Sequence, residues 1–502
     1  MRVTATLAII LGLYLLGIFA LGLYAGTRVE DSEDYLVAGR RLPLYLAWGT
    51  LLATWFGAAT VLGAAEAARN EGVRGTVLDP FASGGALIIA GLFFARPLWK
   101  MRLLTMPDFY SRMFGERAEI VASLVLVPGY FGWVAAQYVA LAGIQEAYFG
   151  IDPRAGILIA AVIVLAYTLI GGMWSVTLTD TLQVVVVLVT LIILAGATMS
   201  HLGAGSIAHG ISRLIAETPS QRLTLLPRPG AAAAIVWAGT LAAGLFGNIP
   251  GQDLMQRVFS SKDARTAARA CVLAGVIYLV FGLIPVGLGL ASRITLPGED
   301  EGQILAVLAA EYLSVPLGAV FVVSLVSIIV STCTSAVLSP AAILAHNLMQ
   351  RASALQERQL FTDRAAVLLV TAASVAVAFS GRTILELLEL SLSSVLVGLF
   401  VPLVAGLYLG SRSERGALFA MAAGIIVWLV RELIEGWILP MPGGYAASSY
   451  AGYVAAEYPA AEVGALASGM LYVFALLPSA VSGTAASALG FLLGAAGRQG
   501  VR

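Results

Sequence analysis

Long apolar segments separated by short polar loops make up most of the chain. A helix needs roughly 20 apolar residues to cross a bilayer, and about thirteen segments reach this length. They lie near 4–26, 44–68, 76–97, 119–147, 154–172, 176–199, 231–254, 268–292, 316–346, 364–381, 384–410, 416–438 and 474–496. Because no loop between them has room for a soluble domain, the pattern predicts an all-α polytopic membrane protein.

The composition agrees with that interpretation. Hydrophobic residues make up 59% of the chain and charged residues only 12%, against about 25% charged residues in soluble domains. The formal net charge is zero, which gives no indication of a nucleic-acid partner. Cys271 and Cys333 both fall in predicted spans, which argues against a disulfide framework. The three histidines form no metal-ligand pattern.

The distribution of arginine and lysine predicts the orientation. Cytoplasmic loops carry an excess of these residues, and one set of alternate loops holds the clusters, with members at Arg28, Arg40, Arg41, Arg96, Lys100, Arg102, Arg257, Lys262, Arg265, Arg351, Arg412 and Arg415. The first apolar run is too long for a signal peptide, so we expect a retained span. The sequence therefore predicts a multi-pass protein of the cell (inner or plasma) membrane, with its N-terminus outside and its C-terminus in the cytoplasm.

The stretch LLATWFGAATVLGAAE, at residues 51–66, predicts a broken helix. Gly57 and Gly63 lie inside the span among small alanines, and glycine lowers helix stability by roughly 0.5–1 kcal/mol relative to alanine. A break at membrane depth requires that protein, water or an ion contact the freed carbonyls. Close packing of helices through small residues is the alternative interpretation.

A second break is predicted within residues 237–257. Pro250 removes a backbone donor in mid-span and has Gly247 and Gly251 on either side. Interrupted helices in matching positions of two halves indicate a transporter site built from inverted repeats. A proline-kinked helix without a ligand is the alternative.

Four hydroxyl residues follow one another closely in the segment SIIVSTCTS. Ser331, Thr332, Thr334 and Ser335 lie on little more than one helical turn. One serine or threonine in such a helix usually bonds the carbonyl one turn back, whereas four close together offer oxygen ligands for a small hard cation. Polar packing residues are the alternative.

Asp180 stands at the edge of a predicted span, in the segment GGMWSVTLTDTLQ. An ionisable residue within the membrane indicates a functional site by default. A carboxylate favoured by the dipole at a helix start is the alternative.

The chain resembles the sodium:solute symporter family. The similar segments are DYLVAGRRLP, ATWFGAATVLGAAEA, LTMPDFYSRMFG, GGMWSVTLTDTLQ, GNIPGQDLMQR and VSTCTS. The resemblance implies a LeuT-like fold, with a ten-helix core of two inverted five-helix repeats whose first and sixth helices are broken. On this basis residues 1–43 form a leading helix and inner loop, 44–410 the transport core, and 411–502 two accessory helices and an outer loop.

The resemblance also implies ligands for sodium as the coupling ion. The first sodium site would use Ala53, Phe56, Ile328, Ser331 and Thr332. Some members have a second sodium site, which here would use Asp180, Thr334 and Ser335. One or two sodium ions therefore remain open.

Within the family, the motifs are most similar to the choline-type branch, in which tryptophans contact a quaternary ammonium. A tryptophan face stabilises a cation well. The chain departs from that pattern at Gly251, where a tryptophan is expected. The side chains predicted to bind the solute are Trp55, Trp133, Gln137, Phe246, Asn248 and Gln252.

These expectations together describe a sodium-coupled symporter that imports a small polar organic solute by alternating access. We find no catalytic constellation and expect no enzymatic activity. A membrane solute sensor with the same fold and a proton-coupled symporter remain alternatives. The expected partners are the solute, sodium ions and the lipid bilayer, while the identity of the solute and the oligomeric state remain open.

Overall fold

The fold is described from a computed structural model of the chain. It describes residues 37–169, 173–298, 304–352, 359–437 and 479–496, together with isolated residues between 10 and 20 and Leu355. The leading span predicted at 4–26 and the outer loop before 474 therefore lie largely outside the described residues. Apart from one isolated parallel bridge between Leu42 and Ser261, the regular structure of the described residues is helical.

The helices follow one another in the order predicted for the apolar segments. The first ten are α1 (Leu44–Trp55), α2 (Ala64–Glu71), α3 (Ser83–Ile89), α4 (Ala95–Lys100), α5 (Pro107–Phe114), α6 (Glu116–Phe149), α7 (Pro153–Thr168), α8 (Met173–Leu202), α9 (Ile207–Glu217) and α10 (Ala231–Gly247). The others are α11 (Gln252–Ser260), α12 (Ala264–Thr295), α13 (Ile304–Tyr312), α14 (Val315–Ile343), α15 (Gln359–Ala378), α16 (Ile384–Val395), α17 (Val401–Tyr408), α18 (Glu414–Trp437) and α19 (Ser479–Ala496).

Several spans continue through π-helical turns rather than ending. These turns cover Ala59–Gly63, Val77–Ala82, Ala90–Phe94, Leu344–Leu348 and Leu396–Phe400. Eight helical stretches among the described residues are long and apolar enough to cross a membrane, or nine when one bent pair is counted as a single span. The all-α membrane fold is thus confirmed, whereas the count of about thirteen spans stays a prediction, as does the division of the chain at residues 43 and 410.

The first predicted break is present. α1 ends at Trp55, and the backbone of Phe56 leaves the helical region with φ −77° and ψ 57°. The chain resumes helical structure at Ala59, and the two segments, Leu44–Trp55 and Ala59–Glu71, are bent by 59°. Because glycine at position 57 disfavours helix continuation, the break lies where the sequence predicts it.

The second predicted break is also present. α10 ends at Gly247, a short turn carries Pro250, and Gly251 precedes α11 in an extended conformation with φ −62° and ψ 135°. The missing N–H of Pro250 and its fixed φ explain why one helix does not run through. Both interrupted helices of the prediction therefore exist in the structure.

Four helices pack against α1, which leads into the first break. They are α8, α11, α12 and α14, and α14 also packs against α6 and α8. Close approach requires glycine where α12 packs against α2, the helix that follows the break, because a Cβ built on Gly289 of α12 would lie 2.1 Å from the carbonyl oxygen of Ala65. The backbone of the broken helix is thus held by direct contact with its neighbours.

We predict that Gly289→Ala destabilises the protein because its methyl group overlaps the Ala65 carbonyl. Overpacking of this kind costs typically 1–3 kcal/mol, and the thermal midpoint of the detergent-solubilised protein should fall accordingly. Gly287→Ala is the matched control, because no atom lies within 4 Å of a Cβ at Gly287 on the same helix. Equal midpoints for the two variants would contradict this account of the packing.

Candidate ion and solute site

The first break exposes a backbone carbonyl to a neighbouring helix. In a continuous helix the amide of Gly57 would donate to the Ala53 carbonyl, but here it donates to the Trp55 carbonyl at 2.8 Å. The Thr332 hydroxyl of α14 donates to the Ala53 carbonyl instead, at 3.0 Å. The structure thus brings together a carbonyl and a hydroxyl that the family resemblance assigns to the first sodium site.

Gly57 allows this close approach of α14 and α6. A Cβ at this position would lie 2.7 Å from Thr332 Cγ2 and 3.0 Å from Gln137 Oε1. Gln137, fully buried on α6, accepts a hydrogen bond from the amide of Ala58 at 3.1 Å. Gln137 therefore satisfies a backbone donor freed by the break, and its predicted contact with the solute stays a prediction.

Asp180 joins the first and second predicted ion sites. Its carboxylate is buried on α8 and accepts a hydrogen bond from Thr50 Oγ1 of α1 at 2.8 Å. It also accepts a short hydrogen bond from Ser331 of α14. Asp180 is thus more than a residue at a helix start, because it links three helices beside the first break.

The other residues of the second set bond to protein groups. Thr334 donates to the carbonyl of Val330 one turn back, at 2.8 Å. Ser335 accepts a hydrogen bond from Arg257 Nη2 at 2.7 Å. A guanidinium therefore lies beside a hydroxyl that the sequence assigned to a second sodium ion.

The sequence analysis counted Arg257 among the arginines of a cytoplasmic loop, whereas the structure buries it on α11. Its side chain is 1% exposed on α11, and Nη1 donates to the Asp253 carbonyl at 3.1 Å. A buried cation is costly unless opposite charges compensate it, and Asp180 and Asp253 are the carboxylates that interact with this guanidinium electrostatically. An arginine four residues after an aspartate within a broken span was the signal in the sequence, since ionisable residues in spans are functional by default.

Asp253 connects the two breaks. It lies at the start of α11, and its Oδ2 accepts a hydrogen bond from Trp55 Nε1 at 2.6 Å. Tyr130 of α6 donates its hydroxyl to Oδ1, and that hydroxyl oxygen accepts the Asp253 amide at 3.0 Å. The rings of Tyr130 and Trp133 are 5.8 Å apart. Of the two tryptophans predicted to bind the solute, Trp55 thus contacts the Asp253 carboxylate, and Trp133 lies beside the tyrosine that also contacts it.

The remaining predicted solute residues make contacts within the protein. Gln252 is buried and accepts the Met106 amide at 2.6 Å, and Asn248 donates to the Gly244 carbonyl at 2.7 Å. The ring of Phe246 lies 4.9 Å from that of Phe400. These contacts position the second break, and the roles of all three side chains at the solute stay predictions.

A third buried carboxylate lies on the other side of the first break. Asp79 accepts a hydrogen bond from the Tyr278 hydroxyl at 2.7 Å, and that hydroxyl also lies 3.1 Å from the Trp55 carbonyl. Sequence reasoning missed Asp79, although an aspartate before a proline in an apolar span was visible. The Tyr278 hydroxyl, which has one hydrogen to donate, therefore lies between this carboxylate and the carbonyl of the residue at which α1 ends.

The donor set at the first break suits a hard cation. Ala53 and Thr332 present oxygen atoms, as does Ser331 nearby, and oxygen ligands are those that hard cations prefer. No group of three or more histidine, cysteine, aspartate or glutamate side chains that could hold a metal occurs in the described part of the chain. The oxygen atoms at the first break therefore fit sodium as a ligand.

Comparisons with a family model and with known proteins agree on the family of this chain. A model of the Sodium:solute symporter family matches residues 35–424. The chain is 28% identical over 454 residues to the High-affinity choline transporter 1 of Caenorhabditis elegans, covering 82% of this chain and 75% of that protein. It is 24% identical to the Osmoregulated proline transporter OpuE of Bacillus subtilis, covering 86% and 92% of the two chains.

A solved structure shows a similar fold. The substrate-bound, outward-open state of a Na+-coupled sialic acid symporter superimposes with a TM-score of 0.71 at 17% identity, and the match covers 97% of this chain and 98% of that one. This likeness confirms the LeuT-like fold predicted from the sequence. The relatives are transporters rather than enzymes.

We predict that Arg257→Met strongly destabilises the folded protein. Removing one partner from a buried set of charges costs about 3–5 kcal/mol, because the remaining charges stay buried without compensation. Arg265→Met is the matched control, since Arg265 is exposed at the start of α12 and its replacement should change stability by less than about 0.5 kcal/mol. Chemical unfolding in detergent measures both, and equal stabilities would show that Arg257 does not compensate the buried carboxylates.

Proposed function

The chain belongs to the sodium:solute symporter family and is a multi-pass membrane transporter, and from this premise we propose that it imports a small polar organic solute by alternating access, driven by the sodium gradient. The membrane is the cell membrane, with the N-terminus outside and the C-terminus in the cytoplasm. This orientation rests on the arginine-rich loops that the positive-inside rule assigns to the cytoplasm.

The hydrogen bond from Thr332 to the Ala53 carbonyl is the observation that carries the proposal. In our account a sodium ion binds there to the carbonyls of Ala53, Phe56 and Ile328 and to the hydroxyls of Ser331 and Thr332. It thereby holds α1 against α14 in the outward-open state. Because sodium then favours the state that binds solute from outside, it raises solute affinity, and solute raises sodium affinity by the same factor.

The solute binds between the two broken helices, where Trp55 and Trp133 lie. Half-helices interrupted near the middle of the membrane provide backbone groups for the cargo of such transporters. The choline transporters among the relatives and the aromatic faces at this position support a cationic solute. No covalent chemistry is needed at the site.

The number of sodium ions that bind depends on the second set of ligands. Asp180, Thr334 and Ser335 are the proposed second site, but the guanidinium of Arg257 already donates to Ser335. A second sodium ion would have to replace that bond. Like charges so close repel one another, and this favours one sodium ion per transport cycle.

Proton coupling is the second candidate, because Asp180 is a buried carboxylate hydrogen-bonded to Thr50 and Ser331. Purified protein in proteoliposomes separates the candidates through uptake of labelled choline, proline and ethanolamine. The proposal predicts uptake that requires an inward sodium gradient. Uptake driven by a proton gradient alone would support the second candidate, and binding without uptake would support a sensor.

We predict that Ser331→Ala and Thr332→Ala each raise the sodium concentration for half-maximal uptake about tenfold or more, because each removes one oxygen ligand from the ion and a loss of about 1.4 kcal/mol in binding free energy is already a tenfold change. Ser324→Ala is the matched control on the same helix, because Ser324 bonds to Thr190 at 2.8 Å away from both ligand sets. Unchanged sodium dependence of the double variant Ser331→Ala/Thr332→Ala would overturn the assignment of the first site.

A further inference from the structure

The carboxylate of Asp253 receives hydrogen bonds from two neutral groups. In the described part of the chain its side-chain donors are Trp55 Nε1, at 2.6 Å, and the Tyr130 hydroxyl. An ionised carboxylate offers about four acceptor positions, so two neutral donors leave acceptor capacity unused. Asp253 is 5% exposed, which makes an uncompensated negative charge there costly.

The nearby guanidinium does not contact this carboxylate. Arg257 directs Nη1 to the backbone carbonyl of Asp253 and Nη2 to Ser335. It shares its charge with Asp180, the other buried carboxylate that acts on it. Two buried carboxylates therefore act on one guanidinium, and a cation bound beside Asp253 would balance the second of them.

The absence of a side chain at Gly251 leaves room for the Asp253 carboxylate. A Cβ at this position would lie 2.9 Å from Asp253 Oδ1 and 3.4 Å from the Tyr130 hydroxyl oxygen. The φ of −62° at Gly251 is open to any residue, so backbone conformation does not require glycine. The small residue is required by the space that Asp253 and Tyr130 occupy beside it and by the Asn248 carbonyl oxygen, which would lie 2.9 Å from the same Cβ.

Aromatic rings border the same carboxylate. The indole of Trp55 contacts it through Nε1, and the rings of Tyr130 and Trp133 lie next to each other on α6. Aromatic faces attract any cation, including a quaternary ammonium that has no N–H. A carboxylate adds a charge-assisted hydrogen bond that only a cation with an N–H can form.

We propose that the transported solute is a small protonated amine that keeps at least one N–H, and that Asp253 binds this ammonium group beside Trp55, Tyr130 and Trp133. The assignment rests on the proposed function, since it names the solute class of that same site. It makes Asp253 the residue that distinguishes an amine from its fully methylated counterpart. A quaternary ammonium would make the aromatic contacts but could not donate a hydrogen bond to the Asp253 carboxylate.

A methylation series tests the assignment in full-length protein in lipid nanodiscs. Ethanolamine, N-methylethanolamine, N,N-dimethylethanolamine and choline differ only in methyl groups on nitrogen, and choline alone has no N–H. Binding is measured in sodium and in potassium by competition against labelled ethanolamine. We expect sodium-dependent binding of the first three, and about a tenfold or greater loss of affinity at the last methylation, because a charge-assisted hydrogen bond disappears there.

Variants test whether Asp253 causes the loss of affinity at the last methylation. Asp253→Asn should weaken ethanolamine binding about tenfold or more and choline binding much less, so that the preference for an N–H disappears. Asp263→Asn is the matched control, because Asp263 caps the start of α12 by accepting the amides of Arg265 and Thr266 at 2.9 and 2.8 Å. If Asp253→Asn does not fold, Gly251→Ala replaces it, since its methyl group displaces the carboxylate and should also weaken ethanolamine more than choline.

Three results would overturn the assignment: choline binding at least as tightly as ethanolamine, a preference for ethanolamine that survives Asp253→Asn or Gly251→Ala, or no sodium-dependent binding of any amine in the series. The proposed function is judged separately in proteoliposomes. It stands if choline, proline or another solute enters on a sodium gradient, and it fails if uptake of every solute is indifferent to sodium.

Discussion

The structure depends on one helical hydrogen bond that is missing, the bond from the Gly57 amide to the Ala53 carbonyl. At Gly57 the amide turns to the Trp55 carbonyl and leaves the Ala53 carbonyl to the Thr332 hydroxyl. In a membrane a freed carbonyl must find a partner, because lipid provides none. The partner belongs to α14, so the break and the contact between α1 and α14 form together. An ion that binds at this point therefore acts on the relative position of two helices.

Two buried carboxylates and one buried guanidinium lie near the contact between α1 and α14. Asp180 and Asp253 are both buried and both interact electrostatically with the single guanidinium of Arg257. Asp180 reaches the first break through Thr50 and Ser331, while Asp253 reaches it through Trp55. Ion and solute would consequently bind a few residues apart on the same broken helix. Their binding is then coupled because both contact α1.

The sequence predicted the frame of this site and the buried carboxylate of Asp180, but it did not lead to Asp253, Arg257 or Asp79. The breaks at Gly57 and Pro250 follow from local backbone chemistry, which a sequence displays directly. The cluster of hydroxyls after Val330 likewise follows from helical spacing. Which side chain contacts Asp253 or Arg257 depends on how α6, α11 and α14 pack against one another. Contacts between helices far apart in the chain produce no repeating pattern of residues from which they could be predicted. For the same reason the sequence did not predict that Gln252 accepts the amide of Met106.

Hydrogen exchange of the backbone amides around the first break tests the central claim most directly. Peptides covering residues 50–60 and 325–337 are compared in sodium and in potassium, for wild type and for Thr332→Ala. If sodium joins α1 to α14, exchange in both segments should slow in sodium for wild type, and the Thr332→Ala variant should lose most of that protection. Identical exchange of the wild-type protein in the two salts would contradict the account.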